Sequence, residues 1–169
     1  MKKLILLLPV CIFLVLSSCS KKNTPTPSLG GTGTITFAIG GAAQTFNVNA
    51  YATYQNLDGL NFLTIYGLKN AGTTDKFELA IVNSSIIEGT TYTGVASQVQ
   101  LTYTLASGAV YQYADDDAAA FVSVVIKSVT STNVQGTFSG NLNLISGNGP
   151  AKQVLTNGTF NLRIEPGSN

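Results

Sequence analysis

Apolar and polar residues alternate with a period of two through most of the chain after residue 33. In the segment QVQLTYTL (98–105), Val99, Leu101, Tyr103 and Leu105 alternate with glutamine and threonine. Successive side chains of a β-strand point to opposite faces, so this spacing places one face on a core and the other in water. The pattern therefore predicts strands here and in the similar segments ITFAI (35–39), TFNVNAYATY (45–54), KFELAIV (76–82) and FNLRI (160–164).

Turn-forming residues separate these segments, and the chain shows no convincing stretch with the 3.6-residue period of an amphipathic helix. Clusters of Gly, Asn, Asp and Pro favour tight turns because they adopt or restrict the backbone conformations that turns need. Such clusters occur at GGAA (40–43), NLDG (56–59), NAGTTD (70–75), STN (131–133) and SGNGP (146–150). We therefore predict an all-β chain, with a single antiparallel β-sandwich or barrel-like domain of about nine to ten strands over residues 33–166.

The first 19 residues follow the order of an export signal. Lys2 and Lys3 precede an apolar run of 13 residues, 4–16, which is shorter than the roughly 20 residues of a membrane-spanning helix. The run ends in Leu-Ser-Ser-Cys19, which resembles the lipobox of bacterial lipoproteins. The resemblance implies cleavage before Cys19, a lipid on its sulfur and an acyl chain such as palmitate on the new N-terminus. The alternative is an ordinary secretory signal followed by a chance cysteine.

The segment after the cysteine, SKKNTPTPSLGGTG, is rich in Pro, Gly, Ser and Thr and has no apolar period. That composition is typical of a flexible linker. The predicted organisation is therefore a signal peptide over residues 1–18, a lipidated Cys19 with a tether over residues 19–32, and the β domain over residues 33–166.

The likeness to bacterial lipoproteins also implies a location. In many of them an aspartate after the cysteine marks retention in the inner membrane, whereas this chain has Ser20, so the outer membrane is expected. Surface-exported lipoproteins of the Bacteroidetes group usually carry acidic residues at the next positions. This chain has Lys21 and Lys22 instead, so the periplasmic face is slightly favoured over the cell surface.

Charged side chains are scarce, at 10% of the residues. Loss of residues 1–18 removes two of the nine basic residues, which leaves seven against eight acidic residues and a net charge of −1. A mildly acidic chain has no basic patch to neutralise phosphates, so nucleic acid is excluded as a partner. The expected partners are the membrane, through the lipid anchor, and a glycan or a protein.

Several segments resemble uncharacterised domains carried by Bacteroidetes-type lipoproteins. They are a first hairpin, TITFAIGGAAQTFNVNAYATY (34–54), and the pair VQGTFSGNL (134–142) and LTNGTFNLRI (155–164). The resemblance implies a β fold and an envelope location, and it assigns no activity or binding residue. The Gly-Thr-Phe sequence shared by the last two segments predicts neighbouring strands that each begin with a glycine bend.

The chain contains no histidine, which excludes Ser-His-Asp and Cys-His catalysis and histidine-based zinc sites. Hydrolysis of a glycoside by two carboxylates stays open, but most of the acidic residues fall in predicted turns, where carboxylates are usually solvated. No catalytic residue, metal ligand or cofactor is therefore assigned.

A weak ligand site is predicted around residues 111–117. Tyr111 and Tyr113 share one face of a short strand, and Asp115, Asp116 and Asp117 follow in a loop. Aromatic rings beside carboxylates can stack on sugars and bind their hydroxyls. The plainer alternative is tyrosines packed on a sheet beside a solvated acidic turn.

These observations favour a lipid-anchored protein of the cell envelope whose β domain is a non-catalytic binding or accessory module. One alternative is a carboxylate-dependent hydrolase that acts on envelope or dietary glycans. Another is a structural role with no small ligand.

Overall fold

The computed structural model describes residues 33–72, 75–94, 99–114, 117 and 119–166. This part of the chain is all-β, as predicted, with 11 strands in place of the predicted nine to ten. The predicted segment TFNVNAYATY (45–54) is divided at Asn47 between two strands, and β6, with three residues, is too short to show an alternation. The strands are β1 (Thr34–Ile39), β2 (Ala42–Phe46), β3 (Val48–Leu57), β4 (Leu60–Leu68), β5 (Lys76–Asn83), β6 (Thr91–Thr93), β7 (Val99–Thr104), β8 (Val110–Gln112), β9 (Phe121–Val129), β10 (Asn133–Ser146) and β11 (Lys152–Pro166).

Hydrogen bonding joins seven of the described strands into a ring. The sheet order is β2-β1-β11-β3-β4-β5-β7-β8-β10-β9-β6, and an additional pairing between β10 and β11 closes the circle that runs from β11 through β3, β4, β5, β7 and β8 to β10. Strands β1 and β2 extend the sheet from β11, and β9 and β6 extend it from β10. The 15 residues of β11 make this possible, because its first part pairs with β1 and its last three residues pair with β3. The long strand β10 pairs in the same way with β9 and then with β8.

One pairing differs from the antiparallel prediction. The end of β11 pairs with β3 in parallel, with Ile164 opposite Ala52. Strand β1 covers this edge of β11 only as far as Asn161, so the edge beyond it is left for β3, which runs in the same direction. The other pairings among the described strands are antiparallel.

Aromatic side chains from both sides of the ring meet in the core. Phe37 of β1 lies 5.4 Å from Phe77 of β5 and 5.6 Å from Tyr103 of β7, measured between ring centroids. Phe77 in turn lies 4.9 Å from Phe138 of β10. In the five segments with a predicted alternation, the core face is the predicted apolar face; β7, for example, buries Val99, Leu101 and Tyr103. The buried apolar side chains of the described ranges lie between residues 35 and 162, so a chain that begins at residue 20 keeps all of them.

Strands β10 and β11 are neighbours, as the repeated Gly-Thr-Phe sequence predicted. The prediction that each strand begins with a glycine bend is wrong, because Gly136 and Gly158 lie inside the two strands, and the reason for these glycines is space. Gly136 lies directly opposite Phe160, and Gly158 lies directly opposite Phe138. A Cβ atom on Gly136 would lie 2.3 Å from the ring of Phe160, and one on Gly158 would lie 2.7 Å from the ring of Phe138. Each glycine therefore makes room for the phenylalanine of the other strand.

Several connections meet at one end of the domain, which we call the Gly33 end. They are the β3–β4 turn (57–60), the β5–β6 loop (84–90) and the β9–β10 turn (130–132). The start of β1 and the final residues of β11 lie at the same end, since β1 is antiparallel to β11. The predicted turn at NLDG is confirmed, with left-handed φ angles of 51° at Asp58 and 81° at Gly59, the conformation of a two-residue hairpin. No helix within the described ranges has the length and apolar character needed to cross a membrane.

Candidate functional site

Part of the predicted site lies outside the described residues. Cys19, the predicted site of lipid attachment, falls there with Asp115, Asp116 and the rest of residues 1–32. The structure does place Tyr111, Tyr113 and Asp117.

The two tyrosines share one face, as predicted, but that face is the inner one. Tyr111 is 0% exposed, and its ring centroid lies 6.4 Å from that of Tyr103. Tyr113 is half-buried and packs against the core, where its ring fills the space beside Gly94. A sugar ring cannot stack on a buried aromatic face, so Tyr111 does not offer the platform that the prediction required.

Asp117 is engaged by three hydrogen-bond donors. Lys152 donates at 2.7 Å, the side-chain amide of Asn143 at 2.8 Å and the backbone N–H of Ala119 at 2.8 Å. The hydrogen bonds from Lys152, Ala119 and Asn143 lower the pKa of Asp117 to about 2, against an ordinary value of 3.8. This carboxylate is therefore an anion at neutral pH that ties the segment after β8 to β10 and β11, and it is poorly suited to donate a proton.

Asp75 is also held by structural contacts. It is 8% exposed, it lies 3.6 Å from Lys69, and it accepts a hydrogen bond from the backbone N–H of Ala106. Burial, together with the nearby Asp75 and Tyr111, raises the pKa of Tyr103 to about 12, so this tyrosine stays neutral. Within the described ranges, no group of three His, Cys, Asp or Glu side chains is placed to hold a metal ion.

A cavity of about 740 Å³ opens at the Gly33 end. Its apolar wall consists of Tyr54 of β3, Ile86 of the β5–β6 loop, Val129 at the end of β9 and Ile164 near the end of β11. Tyr54, Val129 and Ile164 also pack on the core. The cavity therefore lies where the core approaches the surface, between β3, β9 and β11. Its volume falls in the range of small-molecule sites, which are about 300–1,000 Å³ and mostly apolar.

Polar groups border the same cavity. Arg163 and Glu165 line it together with the turn residues Thr130, Ser131 and Thr132. The turn is fixed because the Thr130 hydroxyl accepts a hydrogen bond from the Asn133 N–H at 3.0 Å. The Thr132 carbonyl accepts another from the Ile164 N–H at 2.9 Å, which joins the turn to β11. A guanidinium beside an apolar wall can bind the anionic group of a largely apolar molecule.

The sequence did not predict this cavity, because its residues come from β3, the β5–β6 loop, the β9–β10 turn and β11, which only the fold brings together. One signal was present in the sequence. Arg163 is the chain's single arginine, and it occupies an outward position of a strand next to the buried Leu162.

A second candidate lies on the outer face of the sheet. Tyr51, Tyr66 and Glu78 stand directly opposite one another on β3, β4 and β5, and the two rings are 5.5 Å apart. Partial burial, Tyr51 and Glu78 raise the pKa of Tyr66, so it remains a neutral hydrogen-bond donor. A pair of half-buried tyrosines next to a carboxylate can contact the faces and hydroxyls of sugars.

Comparisons with protein-family models, curated proteins and solved structures found no match to this chain.

Proposed function

We propose that this chain is a lipid-anchored protein of the outer membrane whose β domain binds a small, largely apolar molecule in the cavity at the Gly33 end. The cavity is the observation that supports the proposal. It combines an apolar wall of Tyr54, Ile86, Val129 and Ile164 with one guanidinium, that of Arg163. This lining favours an amphiphilic ligand with an anionic group over the glycan suggested by Tyr111 and Tyr113.

The anchor rests on the order of residues at the N-terminus. A basic pair, an apolar run and two small residues precede Cys19, and cleavage there would leave a lipidated cysteine joined to the domain by a short linker. Two or more acyl chains hold a protein on a bilayer stably, whereas one holds it only marginally. The periplasmic face of the outer membrane is the preferred location.

A binding role is favoured over hydrolysis because the residues that line the cavity include one carboxylate and not a pair. Two-carboxylate hydrolysis of a glycoside needs a pair about 5–10 Å apart across the bond that breaks. Glu165 is the single acidic residue among those that line the cavity. Asp75 and Asp117 are each paired with a lysine.

A dye-binding experiment tests the cavity. Residues 20–169 are produced as a soluble chain and titrated with anilinonaphthalene sulfonate, an apolar dye with one anionic group. The Ser131→Phe substitution places a ring at the mouth of the cavity and is expected to weaken binding about tenfold, which corresponds to about 1.4 kcal/mol. The Arg163→Met substitution is expected to weaken it by a similar factor, because it removes the partner of the sulfonate.

Matched controls lie away from the cavity. Ser107→Phe places the same ring on an exposed turn at the opposite end of the domain, and Lys76→Met removes a cation from an exposed position of β5 at that end. Both are expected to bind the dye like the unmodified chain. Equal affinity in Ser131→Phe and Ser107→Phe would show that the dye does not enter the cavity and would count against the proposal.

Glycan binding on the outer face is a second candidate, because the Tyr51–Tyr66 pair and Glu78 form one row there. The Tyr66→Ala substitution would abolish retention on a glycan affinity column if this face binds sugar. Tyr54→Ala, which changes the cavity, would leave that retention intact.

A further inference from the structure

Two adjacent loops at the Gly33 end expose large apolar side chains. Leu57 and Leu60 flank the β3–β4 turn and are 56% and 43% exposed, and Ile87 in the β5–β6 loop is 54% exposed. Exposure of apolar side chains to water is unfavourable by about 25 cal/mol for each Å² of apolar surface. A group of them on neighbouring loops is typical of a contact surface.

The fold holds these side chains outward by specific hydrogen bonds. The Asn61 amide donates to the Ser84 carbonyl at 2.7 Å, which joins the two loops. The Tyr92 hydroxyl accepts from the Ile87 N–H at 2.7 Å and donates to the Ser85 carbonyl at 3.1 Å. With the loop fixed in this way, Ile86 is buried against the core while Ile87 faces out.

The chain enters the domain at the same end. The Gly33 N–H donates to the Ala50 carbonyl at 3.3 Å, and β1 begins at Thr34. If Cys19 carries the lipid, 13 residues separate it from Gly33, and they span about 20 Å as a coil and about 45 Å when extended. The domain is comparably long, because the 15 residues of β11 extend about 50 Å. The linker therefore keeps the Gly33 end nearer to the bilayer than the opposite end.

The charges at the loop tips favour a bilayer of zwitterionic lipids over one of anionic lipids. Asp58 lies between Leu57 and Leu60, and Glu88 follows Ile87, while neither loop contains a basic residue. Two carboxylates would be repelled by a surface of anionic lipids. A zwitterionic surface carries no such penalty.

From these observations we infer that the Gly33 end rests on a zwitterionic lipid bilayer, with Leu57, Leu60 and Ile87 in the interfacial layer and the mouth of the cavity turned toward the lipid. The inference rests on the proposed lipid anchor. It also gives the cavity a source of ligand, since an amphiphile could pass from the bilayer into the cavity without crossing water.

The chain contains no tryptophan, so one introduced tryptophan reports on its own position. Full-length lipidated protein is purified with Leu57→Trp, Ile87→Trp or Ile145→Trp. It is then reconstituted into phosphatidylcholine vesicles whose acyl chains carry bromine, which quenches nearby tryptophan fluorescence. Ile145 is the matched control because it is 53% exposed and lies near the end of β10, away from the Gly33 end.

We expect both Leu57→Trp and Ile87→Trp to be quenched several times more strongly than Ile145→Trp and to emit at shorter wavelength. Replacing a third of the phosphatidylcholine with an anionic lipid whose acyl chains carry the same bromine should reduce that quenching, although the density of quencher is unchanged. Protein that sediments with the vesicles but shows equal quenching at the three positions would overturn the proposed orientation and leave the anchor standing. Protein that stays in the supernatant would overturn both.

Discussion

At the scale of single residues, Asp117 was predicted to bind a ligand, but its hydrogen bonds give it a structural role. Its low pKa comes first from the hydrogen bond with Lys152, then from those with the Ala119 N–H and the Asn143 side chain. We predict that Lys152→Gln raises the pKa of Asp117 from about 2 toward its ordinary value of 3.8. A pH titration of the Asp117 carboxyl carbon by NMR measures this, with Lys76→Gln as the control.

The same group gives stability a defined pH dependence. Because the folded-state pKa of Asp117 is below its ordinary value, its contribution is fully present above about pH 4 and is lost as the pH falls toward 2. Between these pH values, Asp117→Asn should therefore lose less thermal stability than the unmodified protein. Identical melting profiles for the two proteins would contradict this assignment.

Removal of either of two tyrosine hydroxyls is expected to change the free energy of unfolding by different amounts. The Tyr92 hydroxyl makes two hydrogen bonds to the β5–β6 loop, whereas the Tyr111 hydroxyl has no partner among the described residues. Tyr92→Phe should lower the free energy of unfolding by about 1–2 kcal/mol, because it removes two hydrogen bonds to the β5–β6 loop. Tyr111→Phe should lower it by less than about 0.5 kcal/mol or raise it. Urea denaturation distinguishes the two, and a larger loss in Tyr111→Phe would contradict the prediction.

At the scale of strands, the reciprocal glycine–phenylalanine pairs of β10 and β11 set the local packing. We predict that Gly136→Ala and Gly158→Ala each lower the free energy of unfolding by about 1–3 kcal/mol, because the added methyl group has no space beside the facing ring. Ser139→Ala, on the same strand, is the control, and urea denaturation measures all three. A Gly158→Ala protein as stable as the control would show that the ring can move aside.

The alternation of apolar and polar residues predicted the longer strands and their buried faces, because it depends on residues that are neighbours in the sequence. The face of β7 and the turn at Asp58 and Gly59 were both predictable in this way. Pairings between distant segments were not. The parallel contact of β11 with β3 depends on where β1 ends.

The candidate site was less predictable than the fold. The spacing of Tyr111 and Tyr113 fixed their common face, but β8 is too short to show which face meets the core. The partner of Asp117, Lys152, lies 35 residues further along the chain. The cavity likewise needs four separate segments to come together, and no local pattern encodes that.

At the scale of the whole molecule, the end of β11 closes the ring and forms a wall of the cavity. Deletion of residues 164–169 removes the pairing with β3 and the buried surface of Ile164. It should lower the free energy of unfolding by about 2 kcal/mol or more and abolish dye binding. Deletion of residues 167–169 alone leaves both features in place and serves as the control. Equal stability and dye affinity in the two shortened chains would contradict this view of β11.

The proposed lipid anchor at the N-terminus would hold the β domain on a bilayer. Intact-mass spectrometry of the protein, purified from the membranes of the cells that make it, measures the anchor without any substitution. The expected result is a chain that begins at Cys19 and carries the added mass of a thioether-linked lipid and an N-terminal acyl chain. A mass that corresponds to all 169 residues, or a processed chain with a free thiol at Cys19, would contradict the account.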